Sequence, residues 1–311
     1  MKKILFGVGV IAIIILGIIK VSNIAQKPKG NSQKIRIVTT IFPLYDFAKN
    51  IGQDKVEVLL LLPPGVEPHS FEPKPSDIAK ISEADIFIYT GKFMEPWAQD
   101  IIKGVSGKNV KIIDSSVGIK MIPVVFHNDD ELKGSMDPHI WLDFDNAKTM
   151  VQTIVQAISE KDKNNANYYQ QKADEYKNKL FALDVEYKTS LSKCKSTEIV
   201  YGGHYAFGYL SKRYNLKYLS AQGVSPDAQP TAQNLVQLVE QIKKDNIKYV
   251  FYEELTSSKI AETLANETKA KLLLLSAAHN LTKKDFENNV SFLSIMEKNL
   301  INLKIGLQYT D

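Results

Sequence analysis

An α/β fold of two βα lobes with mainly parallel sheets, joined by one long helix, is what the 311-residue sequence predicts. Three features carry that expectation. Short β-branched runs alternate with amphipathic segments, the rhythm of parallel sheets covered by helices. The rhythm breaks once, at a polar stretch whose residues Tyr169, Ala173, Tyr176, Leu180, Leu183, Tyr187 and Leu191 keep to one helical face. Beyond it the alternation resumes, and the length suits two cores of roughly 100–150 residues each. The boundaries fall at 34–165 for the first lobe, 166–195 for the linking helix and 196–311 for the second lobe.

Residues 1–33 stand apart from both lobes. Met1-Lys2-Lys3 precedes an apolar run from Ile4 to Ile19 that Lys20 closes, the charged start and apolar middle of a secretory signal. The body is therefore expected outside the cytoplasm. Val21 to Ala25 make a weak cleavage site and no cysteine lies near to receive lipid, which favours an uncleaved membrane anchor over a removed signal. The run is short of the ~20 residues that span hydrocarbon, but Lys3 and Lys20 would snorkel. Lys27, Lys29, Gly30, Asn31 and Ser32 read as a tether.

In the first lobe the runs 35–40, 56–62, 84–90 and 110–114 read as strands, and in the second the runs 198–201, 218–220, 249–253 and 272–275. Leu235, Leu238, Val239 and Ile242 mark one helix face of the second lobe. The acidic patch Asn128-Asp129-Asp130-Glu131 reads as a solvated loop. Lys and Arg number 39 against 35 Asp and Glu, a net charge of +4. Without a basic run or an interleaved aromatic stripe, this excludes a nucleic-acid partner. The single cysteine, Cys194, has no internal partner, so the extracellular body must rest on its cores rather than on disulfides.

Four of the five histidines stand at near-even intervals, His69, His139, His204 and His279, with gaps of 70, 65 and 75 residues. His69 follows the run 56–62 through Pro63-Pro64-Gly65, His204 follows Glu198–Tyr201 through Gly202-Gly203, and His279 follows the run 272–275. Open α/β sheets bind ligands outside the carboxyl ends of their strands, so facing lobes would converge these imidazoles on one point in the inter-lobe cleft. His139, in Asp137-Pro138-His139, would join from a turn leading into Trp141. Imidazole is the commonest metal ligand, which makes a metal site the expectation. His127 has no strand-end context and reads as a loop residue rather than a ligand.

At these residues the chain resembles the solute-binding proteins of zinc and manganese ABC importers, over nearly everything after Lys34. Pro64-Gly65-Val66-Glu67-Pro68-His69-Ser70-Phe71-Glu72-Pro73 is similar to the family's first ligand motif, followed by Pro75-Ser76-Asp77 and Ala84-Asp85. Met136-Asp137-Pro138-His139-Ile140-Trp141-Leu142-Asp143 resembles the second and His204-Tyr205-Ala206-Phe207-Gly208-Tyr209 the third, where manganese-type members carry glutamate. Phe251-Tyr252-Glu253-Glu254-Leu255 and Ser276-Ala277-Ala278-His279-Asn280-Leu281-Thr282 look like the last two βα units, but the acid usual in the latter is missing. The resemblance implies His69, His139 and His204 as ligands with His279 in place of the acid at the fourth position, Ser276 or water being the alternatives. It also implies a monomer that takes up a divalent metal and passes it to an ABC transporter permease and its ATPase. The family's histidine-rich loop is reduced to His127 and three acids between Pro123 and Met136.

Neutral imidazoles suit Zn²⁺, Cu²⁺ and Ni²⁺, whereas Mn²⁺ favours oxygen, so Zn²⁺ is the expected cargo and a manganese-type protein the alternative. Four neutral rings leave the ion's charge uncompensated, so carboxylates are expected to orient them from behind, with Glu254, Glu67 and Asp143 as candidates. A fully ligated ion cannot activate water, and His-Glu-x-x-His and Gly-x-Ser-x-Gly are both missing, which ranks a secreted zinc hydrolase last and points away from an enzyme. A surface adhesin that carries metal is the remaining alternative.

Overall fold

The computed structural model describes residues 34–105, 108–124, 135–225, 227 and 229–310. His127, the acidic patch and the apolar run of residues 4–19 lie outside them, as do the expectations attached to those residues. Two four-stranded parallel sheets organise the rest. The first is built of β1 (Ile35–Thr39), β2 (Val56–Leu60), β3 (Ile86–Tyr89) and β4 (Lys111–Asp114) in the order β2-β1-β3-β4. The second repeats that order as β6-β5-β7-β8, from β5 (Glu198–Tyr201), β6 (Lys217–Ser220), β7 (Tyr249–Tyr252) and β8 (Lys271–Leu274). In each sheet the order reverses beside the first strand, where doubly wound sheets leave a crevice at their carboxyl edge.

Every predicted run contains a strand, and most strands stop before the run does. The run 249–253 ends its pairing at Tyr252, and 272–275 at Leu274. The residues left over are where the chain peels off the sheet into the loops at its carboxyl edge; Leu275 leads into the loop of His279, and Glu253 opens the loop after β7. Strand β3 is buried throughout, as expected of a parallel strand covered on both faces.

Among the described residues the first sheet is joined by helices α1 (Phe42–Gly52), α2 (Pro75–Glu83), α3 (Ala98–Val105) and α4 (Phe144–Lys161). Helix α5 (Ala166–Leu191) follows, and the second sheet is joined by α6 (Gly208–Arg213), α7 (Ala232–Lys244), α8 (Lys259–Thr268), α9 (Lys283–Glu287) and α10 (Phe292–Gly306). Pro43 and Pro75 sit in the first turns of α1 and α2, where a missing N–H costs nothing. Asp143 caps α4, its side chain accepting from the Asp145 and Asn146 N–H groups.

Helix α5 has 26 residues, a rod of about 39 Å. All seven residues of its predicted stripe are buried, and two of its tyrosines bond helices from the two halves of the chain. The Tyr176 hydroxyl donates to Asp46 Oδ2 in α1 at 2.7 Å, and that of Tyr187 to the Met296 carbonyl in α10 at 2.5 Å. The largest apolar cluster runs around this helix from Phe47 and Ile154 to Phe207 and Leu300. Two smaller clusters cover the outer faces, one with Val38, Phe87 and Ile101, the other with Val200, Ile242 and Leu264. Each such side chain contributes about 1.5–3 kcal/mol by leaving water. Residues Ile35–Asp311 make one compact unit. No helix among the described residues is long and apolar enough to cross a membrane.

Candidate metal centre

The loops beyond β2, β5 and β8 deliver His69, His204 and His279 to one place, and His139 joins them from the residue before the 3-10 turn Ile140–Leu142. His139, His204 and His279 are buried and His69 is partly buried. His139 Nε2 lies 3.2 Å from both His69 Nε2 and His204 Nε2. His69, His139 and His204 thus form one group of donors, and His204, Glu253 and His279 form a second that shares a ring with the first.

Carboxylates stand behind two of the rings. Asp137 Oδ1 is 2.8 Å from His139 Nδ1 and also accepts the His139 backbone N–H at 3.0 Å, an Asx turn that fixes ring and chain together. Glu253 Oε2 is 2.8 Å from His204 Nδ1. A ring whose Nδ1–H is taken in this way turns the lone pair of Nε2 inward. The Nε2 atoms of His139 and His204 are both turned inward in this way, and His139 Nε2 lies between those of His69 and His204. Gly203 makes room for this arrangement, since a Cβ there would lie 2.7 Å from the Tyr201 ring and 3.1 Å from Glu253 Oε2.

The other two rings have no such backing. His279 Nδ1 is buried without a hydrogen-bond partner among the described residues, and Nε2 is 3.5 Å from Glu253 Oε1 and 3.7 Å from Glu67 Oε2. Its ring centre is 5.6 Å from that of His204 and 6.4 Å from that of His69. What is fixed at His279 is the backbone. Its carbonyl accepts from Phe42 N, Trp141 Nε1 donates to the Ala277 carbonyl, and the Asn280 amide bonds the Pro63 and Val66 carbonyls. Asn280 thereby ties the His279 loop to the His69 loop. The Ser276 hydroxyl is engaged by Glu254 and by the Ala278 N–H.

Burial holds the His69, His139 and His279 rings well below the ordinary histidine range. Burial also pulls on His204, but the charge of Glu253 and its hydrogen bond outweigh it and raise the ring above 6.5. Glu253, despite its own burial, is lowered by His204. Burial pushes Asp137 up to about 8 and Glu67 to about 7. The His204 ring thus holds a proton more tightly than the other three rings. Around it Glu67 Oε2, Asp137 Oδ2 and Glu253 Oε1 are buried without hydrogen-bond partners among the described residues. Such a surplus of unsatisfied oxygen and nitrogen is what an incoming cation relieves.

Of the carboxylates expected behind the rings, Glu67 lies beside the site but backs no ring: Oε1 accepts the His69 backbone N–H and Oε2 is 3.7 Å from His279 Nε2. Glu254 lies one layer back on Ser276, and Asp143 does not reach the site, because its side chain caps α4 and pairs with Arg213. The two acids that do hold rings, Asp137 and Glu253, were not singled out. Asp137 could have been found, since a carboxylate two residues before a histidine closes an Asx turn. Glu253 depends on β5 pairing with β7, Tyr201 against Phe251, which brings residue 253 beside Gly203.

Two parallel α/β sheets braced by one long helix, with buried imidazoles gathered beyond their strand ends, define a binding protein that encloses a metal ion. The chain belongs to the ZnuA family, described as the periplasmic component A of the zinc-uptake complex, which it matches over residues 37–306. It is 37% identical over 310 residues to the high-affinity zinc uptake system protein ZnuA of Bacillus subtilis (strain 168), covering 97% of both chains. It is 35% identical to the zinc-binding protein AdcA of Streptococcus pyogenes serotype M18 (strain MGAS8232) over 88% of its own length but 56% of that relative's, so it spans about half of that protein. The Zn(II)-bound ZnuA-like domain of Streptococcus pneumoniae AdcA superposes with a TM-score of 0.77 at 35% identity, over 88% of this chain and 99% of that one.

Proposed function

We propose that this protein is an extracytoplasmic carrier that binds one Zn²⁺ and delivers it to the permease of an ABC importer. One observation carries the reading: His139 Nε2 lies 3.2 Å from the Nε2 atoms of both His69 and His204, and two of these three rings are held from behind by buried carboxylates. At Zn–N bonds of 2.0–2.1 Å, two corners of a tetrahedron lie about 3.3–3.4 Å apart. The rings therefore stand near zinc spacing. Membership of the zinc-uptake family supports zinc as the cargo and transport as the use.

In this reading His69, His139 and His204 are three ligands and His279 is the fourth. Asp137, Glu253 and Glu67 lie close enough to offset the ion's charge, which neutral rings alone would leave uncompensated. Four protein ligands leave no open position for activated water, so the ion is carried rather than used in catalysis. Residues 34–165 and 196–311 act as two lobes about the linking helix 166–195. The chain works as a monomer held at the membrane by its N-terminal segment, handing the ion to the permease that the transporter's ATPase drives.

The test is metal analysis of protein stripped by chelator and reloaded, alongside growth of a deletion strain under zinc limitation. One tightly held Zn²⁺ per chain, and growth restored by zinc or by the intact gene, are expected. Two or more tight ions per chain, or growth indifferent to zinc, would overturn the reading.

A further inference from the structure

We propose that Arg213, which lies outside the metal centre, is a positioning residue that sets the gap between His139 and His204 and so the size of ion the site prefers. This rests on the reading of the centre as a Zn²⁺ site.

The segment from Asp137 to Asp143 carries His139, and the helix α6 that follows the His204 turn lies alongside it. The two are joined at both ends. At one end Gly208 meets Asp137 so closely that a Cβ on Gly208 would sit 2.4 Å from Asp137 Oδ2. At the other, Arg213 Nη1 donates to Asp143 Oδ1 at 3.0 Å and to Asp145 Oδ2 at 2.8 Å. Between the ends, Ile140, Trp141 and Leu142 are fully buried, so the segment has no slack through which a movement of Asp143 would be lost before it reached His139.

Arg213 is itself held in place. Its Nε and Nη2 grip the two oxygens of Asp184 in α5 at 2.7 and 2.5 Å, and Tyr214 donates to Asp184 Oδ1 at 2.7 Å. The side chain is 17% exposed, against 14% for Asp184 and 19% for Asp143. Two-pronged pairs of this kind fix geometry as well as charge, which a lysine cannot reproduce. Lys148 pairs with Asp145 on the outer side and leaves Asp143 and Asp184 to Arg213. The long helix thus serves as an anvil: Arg213 presses the base of the His139 segment and the end of the His204 segment against one carboxylate.

A clamp of this kind acts on spacing. With it loosened, the two Nε2 atoms drift from 3.2 Å, which penalises a small ion with short bonds more than a larger one of similar ligand taste. Zn²⁺ and Cd²⁺ affinities are to be measured by chelator competition on the full chain, with thermal unfolding in parallel. Arg213→Met and Arg213→Lys should both lower Zn²⁺ affinity about tenfold, the low end for groups that orient ligands, and lower the Zn²⁺-to-Cd²⁺ ratio by about threefold or more. Asp143→Asn, which keeps the helix cap, should shift the ratio in the same direction. Leu264→Ala, in the outer cluster of the second sheet, should lower Tm with the ratio unchanged. Arg213 and Asp143 variants that lose Tm but keep the parental ratio would reduce Arg213 to a brace and overturn the proposal. A parent protein that binds no Zn²⁺ would instead overturn the function on which the proposal stands.

Discussion

His139 and His204 differ from His69 and His279 in what stands behind the ring. The first pair have Nδ1 fixed by Asp137 and Glu253 and are wholly buried. The second pair are held by their loops, which Asn280 joins, while a ring nitrogen of His279 has no hydrogen-bond partner among the described residues. Half of the centre is thus set in advance and half is left to adapt. The fixed half should carry affinity and the adaptable half should tune which ion is accepted.

The hardest test of that division is removal of a fixed ring. His139→Ala or His204→Ala should weaken zinc binding by more than about 100-fold, beyond the usual cost of losing a group that merely orients a ligand. Titration against a chelator of known affinity measures it, and a loss no greater than that of His279→Ala would erase the distinction. Next in size, Asp137→Asn and Glu253→Gln should each cost about 10–100-fold while leaving a one-ion stoichiometry. Near-parental affinity in both would mean that the carboxylates do not set the rings.

His279 probes the adaptable half. His279→Ala should cost Zn²⁺ affinity less than any change at the fixed pair. His279→Glu should improve Mn²⁺ relative to Zn²⁺ by supplying the oxygen donor that manganese prefers. If neither variant alters either metal, the fourth position belongs to water. The smallest effect concerns pH. A raised His204 pKa means a proton that zinc must displace, so affinity should fall as pH drops through that value, while the three lowered rings compete only in stronger acid. Glu253→Gln removes the main cause of the rise and should move the fall in affinity to lower pH. A fall at an unchanged pH would place the competing proton elsewhere.

The strands and the long helix were legible because their signals are local. The stripe from Tyr169 to Leu191 needs no partner to be recognised, and its seven residues are all buried. The gathering of the histidines was legible for a related reason: each follows a strand or a turn, and the carboxyl edge of a parallel sheet is a single place. What sits behind each ring was less legible. Glu253 and Glu254 are neighbours in sequence, yet one orients His204 and the other bonds Ser276. Only the pairing of β5 with β7 decides between them, and strand order is a tertiary choice. Asp143 fails as a ring partner for the same reason, since its true partner, Arg213, lies 70 residues away. The acid burden of the site also went unread, because a count of histidines omits the carboxylates that burial and folding bring beside them.

The raised proton affinity of His204 bears on how the protein is handled at the bench. Material lifted from a culture will not be blank, because a cavity short of positive charge takes the first soft dication it meets, copper as readily as zinc by the ordinary divalent ranking. The metal found on fresh preparations is then a record of the broth rather than of the protein's preference. Dialysis alone should leave that record intact. A chelator in mildly acidic buffer erases it, since there the displaced proton returns to His204 and works on the chelator's side.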